Sequence, residues 1–207
     1  MFRTLDYSII FNPDLTYETV TDIDNNIYKT ITIGNQVWMA ENLKVTHYRD
    51  GSPIQKNIYD KTGSYYNYNN NEYWTSSNGR LYNWYAVTNT KNIAPVGWHI
   101  PTDNEWTILV NYLNGEFVAG GKLKETGTLH WLSPNTEANN QSGFSALPSG
   151  FVNYDEYSNM GKYSYFWSVD ESSATNAWSR YLFYGYAKSY RASNNKDFGF
   201  SVRCIKD

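Results

Sequence analysis

The chain is poor in the residues that most often carry chemistry. Among its 207 residues one is cysteine, Cys204, and three are histidines, His47, His99 and His130. A lone cysteine allows no internal disulfide and does not report a redox compartment. The histidines are dispersed, and none stands at a metal-ligand spacing or beside a recognisable nucleophile. His99, between Trp98 and a helix start, reads as a packed structural histidine. Charged residues make up only 18% of the chain and the net charge is −3, with no basic run or Arg-rich helix, which argues against a nucleic-acid partner. No apolar run is long enough to span a bilayer. The opening MFRTLDYSIIFNPDL has no basic region ahead of a clean apolar stretch, so no signal peptide is read there. A native leader exchanged for a start Met stays open. Gly120-Gly121 lacks the further glycines and the Lys-Ser/Thr ending of a phosphate loop. No internal repeat is present.

What is abundant is aromatic: 18% of residues, including 20 Tyr and 8 Trp. Tyr with Asn, Ser and Gly is the composition of adaptable binding surfaces, where rigid contact area meets flexible hydrogen bonding. It is equally the composition of a loop-rich β protein. The length suits one large core better than two.

The strongest local signal lies in residues 93–115. Thr102 followed by Glu105 is a capping box. Trp106, Leu109, Val110 and Leu113 recur at i, i+3, i+4 and i+7, one apolar helix face. Asp103 and Glu105 sit at the positive end of the helix dipole, and Gly115 stands where a left-handed stop belongs. A second short helix is expected over 118–125. The rest reads as short strands and aromatic loops. Residues 20–24 and 27–33 form a hairpin with a two-residue Asn25-Asn26 turn. Gly34-Asn35 turns into a third strand, 36–39. Asp22, Asp24 and Asn26 resemble the start of a calcium loop, but Ile27 and Ile33 occupy its Gly and Glu positions, so an EF-hand is rejected. Residues 44–79 read as an ordered insertion or two short strands, 80–87 as a buried strand or short helix, and 126–143 as a polar loop. Strands follow at 144–152, 163–169, 177–184, 189–191 and 199–205. In the last, Phe200, Val202 and Cys204 alternate with Ser201 and Arg203, as in a half-buried strand.

These residues carry a resemblance. Thr21-Asp22-Ile23-Asp24 with Tyr28-Lys29-Thr30, then Ile33-Gly34-Asn35-Gln36-Val37-Trp38-Met39-Ala40-Glu41-Asn42-Leu43, resembles the opening of the Fibrobacter succinogenes major paralogous domain family. Gly79-Arg80-Leu81-Tyr82-Asn83-Trp84-Tyr85, Ala94-Pro95-Val96-Gly97-Trp98-His99-Ile100-Pro101-Thr102-Asp103-Asn104-Glu105-Trp106, Ala119-Gly120-Gly121-Lys122-Leu123-Lys124, Ser142-Gly143-Phe144-Ser145-Ala146-Leu147-Pro148 and Gly199-Phe200-Ser201-Val202-Arg203-Cys204 follow in the family's order. The resemblance covers 19–207, leaving 1–18 as a lead-in or linker. It implies an α+β, C-type-lectin-like fold, with one main amphipathic helix and a short second helix around twisted antiparallel sheets. It also implies a secreted or cell-surface setting. The helix is more distantly similar to a segment of formylglycine-generating enzymes. Their oxidase chemistry needs two cysteines holding copper, so with Cys204 alone it does not carry over.

The resulting expectation is a non-catalytic ligand-binding or adhesion module, with an unknown protein or glycan ligand and no nucleic acid. A structural or assembly module of a surface protein, pilus or phage tail is the alternative. In lectin-like folds the binding face is built just before the final core strand, here 178–198. The candidates there are Tyr181, Phe183, Tyr186, Lys188, Tyr190, Ser193, Asn194 and Asn195. Alternation from Trp178 puts Trp178, Arg180, Leu182 and Tyr184 on one face, with Leu182 inward, and Ser179, Tyr181 and Phe183 on the other. Arg180 and Arg191 are expected to bond loop carbonyls. Asp155-Glu156 and Asp170-Glu171 read as solvated loop pairs; no cofactor is expected, and calcium in one of those loops is an option the fold leaves open. Several lectin-like proteins are diversified by a reverse transcriptase that rewrites Asn codons to Tyr, Ser, Asp, Gly, Ala or Phe. The mixture of those residue types between Tyr181 and Asp197 fits such a process.

Overall fold

The computed structural model describes residues 8–207, so residues 1–7 of the expected lead-in lie outside the described residues. The strands and helices run in chain order as β1 (Glu18–Thr21), β2 (Ile27–Ile33), β3 (Gln36–Met39), β4 (Gln55–Lys56), β5 (Ser64–Tyr66), α1 (Thr75–Asn78), β6 (Leu81–Tyr82) and α2 (Trp84–Val87). They continue as β7 (Trp98–His99), α3 (Asp103–Tyr112), α4 (Glu116–Leu123), β8 (Ser149–Asn153), β9 (Glu156–Met160), β10 (Tyr163–Glu171), β11 (Asn176–Phe183), β12 (Ser189–Asn195) and β13 (Ile205–Lys206). The architecture is α+β and dominated by sheet. One sheet has the order β1-β2-β3-β13-β7 and so joins the two ends of the chain; a second has the order β12-β11-β10-β8-β9; a small third is β4-β5-β6. Residues 44–79 hold the short strands β4 and β5 together with α1, and 80–87 form both a strand and a helix, β6 and α2.

The first hairpin forms, with a longer loop than the sequence predicts. Thr21 pairs with Ile27, which leaves residues 22–26 in the connection. The reason is the buried Asp22 carboxylate. It accepts from the backbone N–H groups of Asp24 and Asn26, each at 2.9 Å, and from the Tyr28 hydroxyl at 2.5 Å. A side chain that satisfies several loop donors outcompetes the tight turn. The Gly34-Asn35 hairpin closes as expected, with Ile33 opposite Gln36.

Helix α3 starts on the expected capping box: Thr102 Oγ1 accepts from Glu105 N at 3.1 Å, and Glu105 Oε2 accepts from Thr102 N at 2.8 Å. Its stop is Asn114, at φ 75°, rather than Gly115. The Asn114 N–H reaches Asn111 O and the Gly115 N–H reaches Val110 O, which is a Schellman closure. Gly115 instead caps α4, which begins at Glu116, two residues before the predicted start, and ends at Leu123. The paired glycines lie where this helix touches other backbone. A Cβ at Gly120 would sit 2.4 Å from Lys188 O, and one at Gly121 2.5 Å from Glu137 O. Gly120 lets α4 press against the approach to β12, and Gly121 lets it press against the 126–143 loop.

The core has two large parts. Tyr28, Met39, Tyr82, Trp98, Trp167 and Phe200 anchor one. Trp38, Trp106, Leu109, Phe144, Phe166 and Leu182 anchor the other, under α3, with the Trp38 and Trp106 rings 4.8 Å apart. Residues 199–204 run between the parts. The sequence predicts a half-buried alternating strand there; instead Ser201 and Arg203 are as fully buried as Phe200, Val202 and Cys204. Both faces are covered, and Arg203 is solvated by protein. Its guanidinium donates to Asn42 Oδ1 (2.5 Å), Met39 O (3.0 Å), Phe144 O (2.6 Å) and Ser145 O (3.1 Å).

Two further expectations change. His99 is not packed inside: its side chain is 36% exposed and bridges Glu105 Oε1 at 2.9 Å and Asp207 Oδ1 at 2.7 Å, tying the chain end to α3. Asp170-Glu171 is not a solvated loop pair. It ends β10, where Asp170 accepts from Asp103 N at 2.5 Å and Glu171 pairs with Lys196 at 2.8 Å. Asp155 and Glu156 are exposed at the β8–β9 turn.

Candidate functional site

The β10–β11–β12 meander is organised by register. Tyr163 lies opposite Phe183, Tyr165 opposite Tyr181, and Tyr181 opposite Tyr190. Directly opposed residues share a sheet face, so three strands deliver one aromatic row. Tyr181 and Tyr190 are 4.5 Å apart with an interplanar angle of 1°. Tyr181 lies 5.5 Å from Tyr165, and Tyr163 lies 4.6 Å from Phe183. Phe183 approaches Tyr186 of the β11–β12 turn, whose ring is exposed. The five ladder residues are all partly exposed. Together these rings form a partly exposed aromatic band. At its inner end it merges with the core through Tyr165 on Phe200, at 4.8 Å. Burial and the neighbouring Tyr190 and Tyr163 phenols raise the Tyr181 pKa, which keeps its hydroxyl protonated as a donor.

The turn that carries Tyr186 is pinned from below. Lys124, wholly buried, donates from Nζ to Thr136 O (3.0 Å), Phe183 O (3.3 Å) and Tyr186 O (3.0 Å). Burial pushes its pKa down to about 8. Lys188 sits at the sheet edge, with Nζ 3.2 Å from Glu116 Oε1, 4.7 Å from the centre of the Phe117 ring and 5.0 Å from that of Tyr190. Phe117 is 72% exposed.

The opposite face meets α3. Leu182 is buried in the core as the alternation predicts, and Arg180 is buried beside it. The two arginines do not chiefly bond loop carbonyls. Both converge on the Asp103 carboxylate in the first turn of α3: Arg180 Nη1 at 2.5 Å, and Arg191 through Nε and Nη2 at 2.8–3.0 Å. Burial opposes the Asp103 charge, but the hydrogen bonds from Arg191 and Arg180 outweigh it and hold the carboxyl below its ordinary range. The Arg191 guanidinium also lies 3.2 Å from the centre of the Trp178 ring.

The eight sequence candidates therefore do not share one surface. Tyr181, Phe183 and Tyr190 lie in the band, Tyr186 beside it and Lys188 at its edge. Asn194 is on the same face but donates to Ser179 Oγ at 2.8 Å. Ser193, opposite Trp178, belongs to the other face and bonds Ser172 Oγ at 2.6 Å. Asn195 holds its own turn by accepting from Asp197 N at 2.9 Å. Sequence reasoning missed Tyr163, Tyr165, Phe117 and Asp103. The Tyr-Ser-Tyr alternation of 163–165 is the signal for the first two; nothing local marks Asp103 beyond its place in the first helical turn. Among the described residues, no group of three or more His, Cys, Asp or Glu side chains stands close enough to hold a metal ion, and no helix is long and apolar enough to cross a membrane.

The family model described as the Fibrobacter succinogenes major domain matches residues 31–206. The motif at Thr21–Thr30 lies ahead of that span. No curated protein and no solved structure matches the chain.

Proposed function

The chain belongs to the Fibrobacter succinogenes major domain family, and from the face described above we propose that it is a non-catalytic ligand-binding or adhesion module. The observation that carries the proposal is the partly exposed cross-strand aromatic band, with Tyr181 and Tyr190 parallel at 4.5 Å. Tyr provides rigid, amphipathic contact area at low entropic cost. A glycan or a protein surface is the ligand class that such a face suits. On the opposite face of the meander, the acidic groups of the first turn of α3 have structural partners: Asp103 holds two arginines and Glu105 caps α3. A C-type-lectin-like arrangement belongs to the same proposal. What supports it is the pairing of β13 with β3, which joins the chain ends in one sheet, with two helices set against the long meander. Display at a cell surface, pilus tip or phage tail fits an adhesive role. Diversification of 181–197 would alter both faces of the meander. Sequencing that segment across a source population tests this, and a population without clustered adenine-linked replacements refutes it.

The test of binding is a screen of the purified domain on glycan and surface-protein panels, with and without calcium. A Tyr181→Ala, Tyr190→Ala variant of wild-type circular dichroism runs beside it. The expected result is a ligand held by the wild type and lost by the variant. A ligand that ignores the variant refutes the band as the site.

A second reading is favoured by a different observation. Ile108, Tyr112, Phe117 and Val118 are all exposed on α3 and α4, an apolar surface of the sort that contacts a neighbouring domain. An assembly module would self-associate, or bind its neighbour, through these residues. Phe117→Ser abolishing a concentration-dependent mass shift would favour this reading.

A further inference from the structure

On the other side of the β12 edge, a half-open cavity of about 300 Å³ lies between the helices and the meander, lined by the apolar Val110 and by Thr107, Asn111, Glu116, Arg180, Ser189 and Arg191. Three features point to a ligand. Ser189 is 3% exposed and its Oγ has no hydrogen-bond partner; a buried hydroxyl left unpaired is uncommon and calls for an explanation. Arg180 and Arg191 share the single carboxylate of Asp103. Of the charged side chains that line the cavity, Arg180 and Arg191 outnumber Glu116, which Lys188 engages at 3.2 Å. Arg191 uses Nε and Nη2 on Asp103, and its Nη1 meets no acceptor among the described residues. Stacking on Trp178 fixes that guanidinium in place.

We propose that this cavity is a subsite for a sugar acid, with the carboxylate of the sugar on Arg191 and its ring hydroxyls on Ser189, Asn111 and Glu116. The volume suits a single monosaccharide ring. A planar guanidinium matches a carboxylate in bidentate geometry. The rest of the lining distinguishes a sugar from an acidic peptide. A peptide carboxylate would use the arginine alone, whereas a ring bearing several hydroxyls uses the hydroxyl, amide and carboxylate groups around it. Lys188 stands between the cavity and the tyrosine band at the β12 edge, its ammonium 3.2 Å from Glu116 of the cavity lining and 5.0 Å from the centre of the Tyr190 ring. A glycan chain can therefore place an acidic residue in the cavity and its neighbours along the band. This assignment rests on the ligand-binding reading above and narrows it to acidic glycans.

The test is calorimetric titration of the whole domain with four probes: an oligogalacturonate, its carboxyl-reduced counterpart, a sialylated trisaccharide and a glutamate-rich peptide. Expected is binding to one of the two acidic sugars, which identifies the source, with affinity for the reduced chain at least about tenfold weaker. Arg191→Ala should remove that preference. Ser189→Ala should weaken acidic-sugar binding several-fold with an unchanged melting temperature, because its hydroxyl has no protein partner to lose; an adventitious charge effect would not move with Ser189. Equal binding of acidic and reduced chains, or binding to the peptide instead, overturns the sugar-acid subsite while leaving the aromatic band intact. Absence of binding to these probes together with a blank glycan and protein screen overturns both.

Discussion

Arg203 is the sharpest test of how this fold is held. Its guanidinium is wholly buried, has no carboxylate among its hydrogen-bond partners, and makes four hydrogen bonds to Asn42, Met39, Phe144 and Ser145. Its Cζ lies 4.5 Å from the centre of the Phe144 ring. These bonds join the end of β3, the loop at 144–145 and the chain's last core segment. Arg203→Met fills much of the same volume but removes every donor. Each buried acceptor left unpaired costs about 1–3 kcal/mol, and the sites share one network, so the losses do not simply add. A destabilisation of about 4 kcal/mol or more is expected, against a total of about 5–15 kcal/mol for folded domains in general. For a chain of this length that lowers the melting temperature by about 8–16 °C. Urea titration followed by tryptophan fluorescence measures it, provided that the slope with denaturant stays that of the wild type. The exposed Lys206→Met serves as control and should stay within about 0.5 kcal/mol. A change below about 1 kcal/mol in Arg203→Met would refute the reasoning, because the four bonds would then be incidental to stability.

Two further outcomes follow from the anchor helix. Thr102→Ala removes the hydroxyl that accepts from Glu105 N and should cost about 1 kcal/mol in the same titration, with Thr102→Ser nearly neutral. For His99, burial works against the charged ring, but hydrogen bonds to Asp207 and Glu105 outweigh it and raise the pKa above the ordinary 6.5. A group whose folded pKa is raised contributes fully below its unfolded value and loses that contribution as pH rises through the folded one. The difference in melting temperature between wild type and His99→Gln should therefore shrink from about pH 5.5 to about pH 8.5, and a difference that grows with pH would refute the link.

The parts of the fold legible beforehand are those set by close neighbours in sequence. Thr102 and Glu105 are three residues apart and meet in one helical turn, so the capping box is visible in the letters alone. The α3 stop moved from Gly115 to Asn114 because Asn also tolerates the left-handed region and the Schellman bonds select the earlier residue. The two-residue Asn25-Asn26 turn gave way to the Asp22 loop for a similar reason. Turn propensity ranks residues, but a buried carboxylate with several donors to satisfy decides the geometry. For the candidate site, alternation correctly turned Leu182 inward and Tyr181 outward, yet it could not say that Tyr163 and Tyr165 stand beside them.

The sequence by itself determined the helix with its cap, the Gly34-Asn35 hairpin, the aromatic wealth of the last third of the chain and the family. All of these rest on short-range periodicity or on ordered motifs. Only the tertiary structure decided which side chains share a surface. Asp103 meets Arg180 and Arg191 across 77 and 88 residues of chain, and the tyrosine band exists because strand register sets Tyr190 beside Tyr181 and Tyr181 beside Tyr165. Alternation gives each strand two faces, but which strand lies alongside, and in which register, is set by pairing over long distances. The same holds for Arg203: its place in an alternating pattern suggests solvent, and only the second layer of protein packed over that face makes it a wholly buried cation.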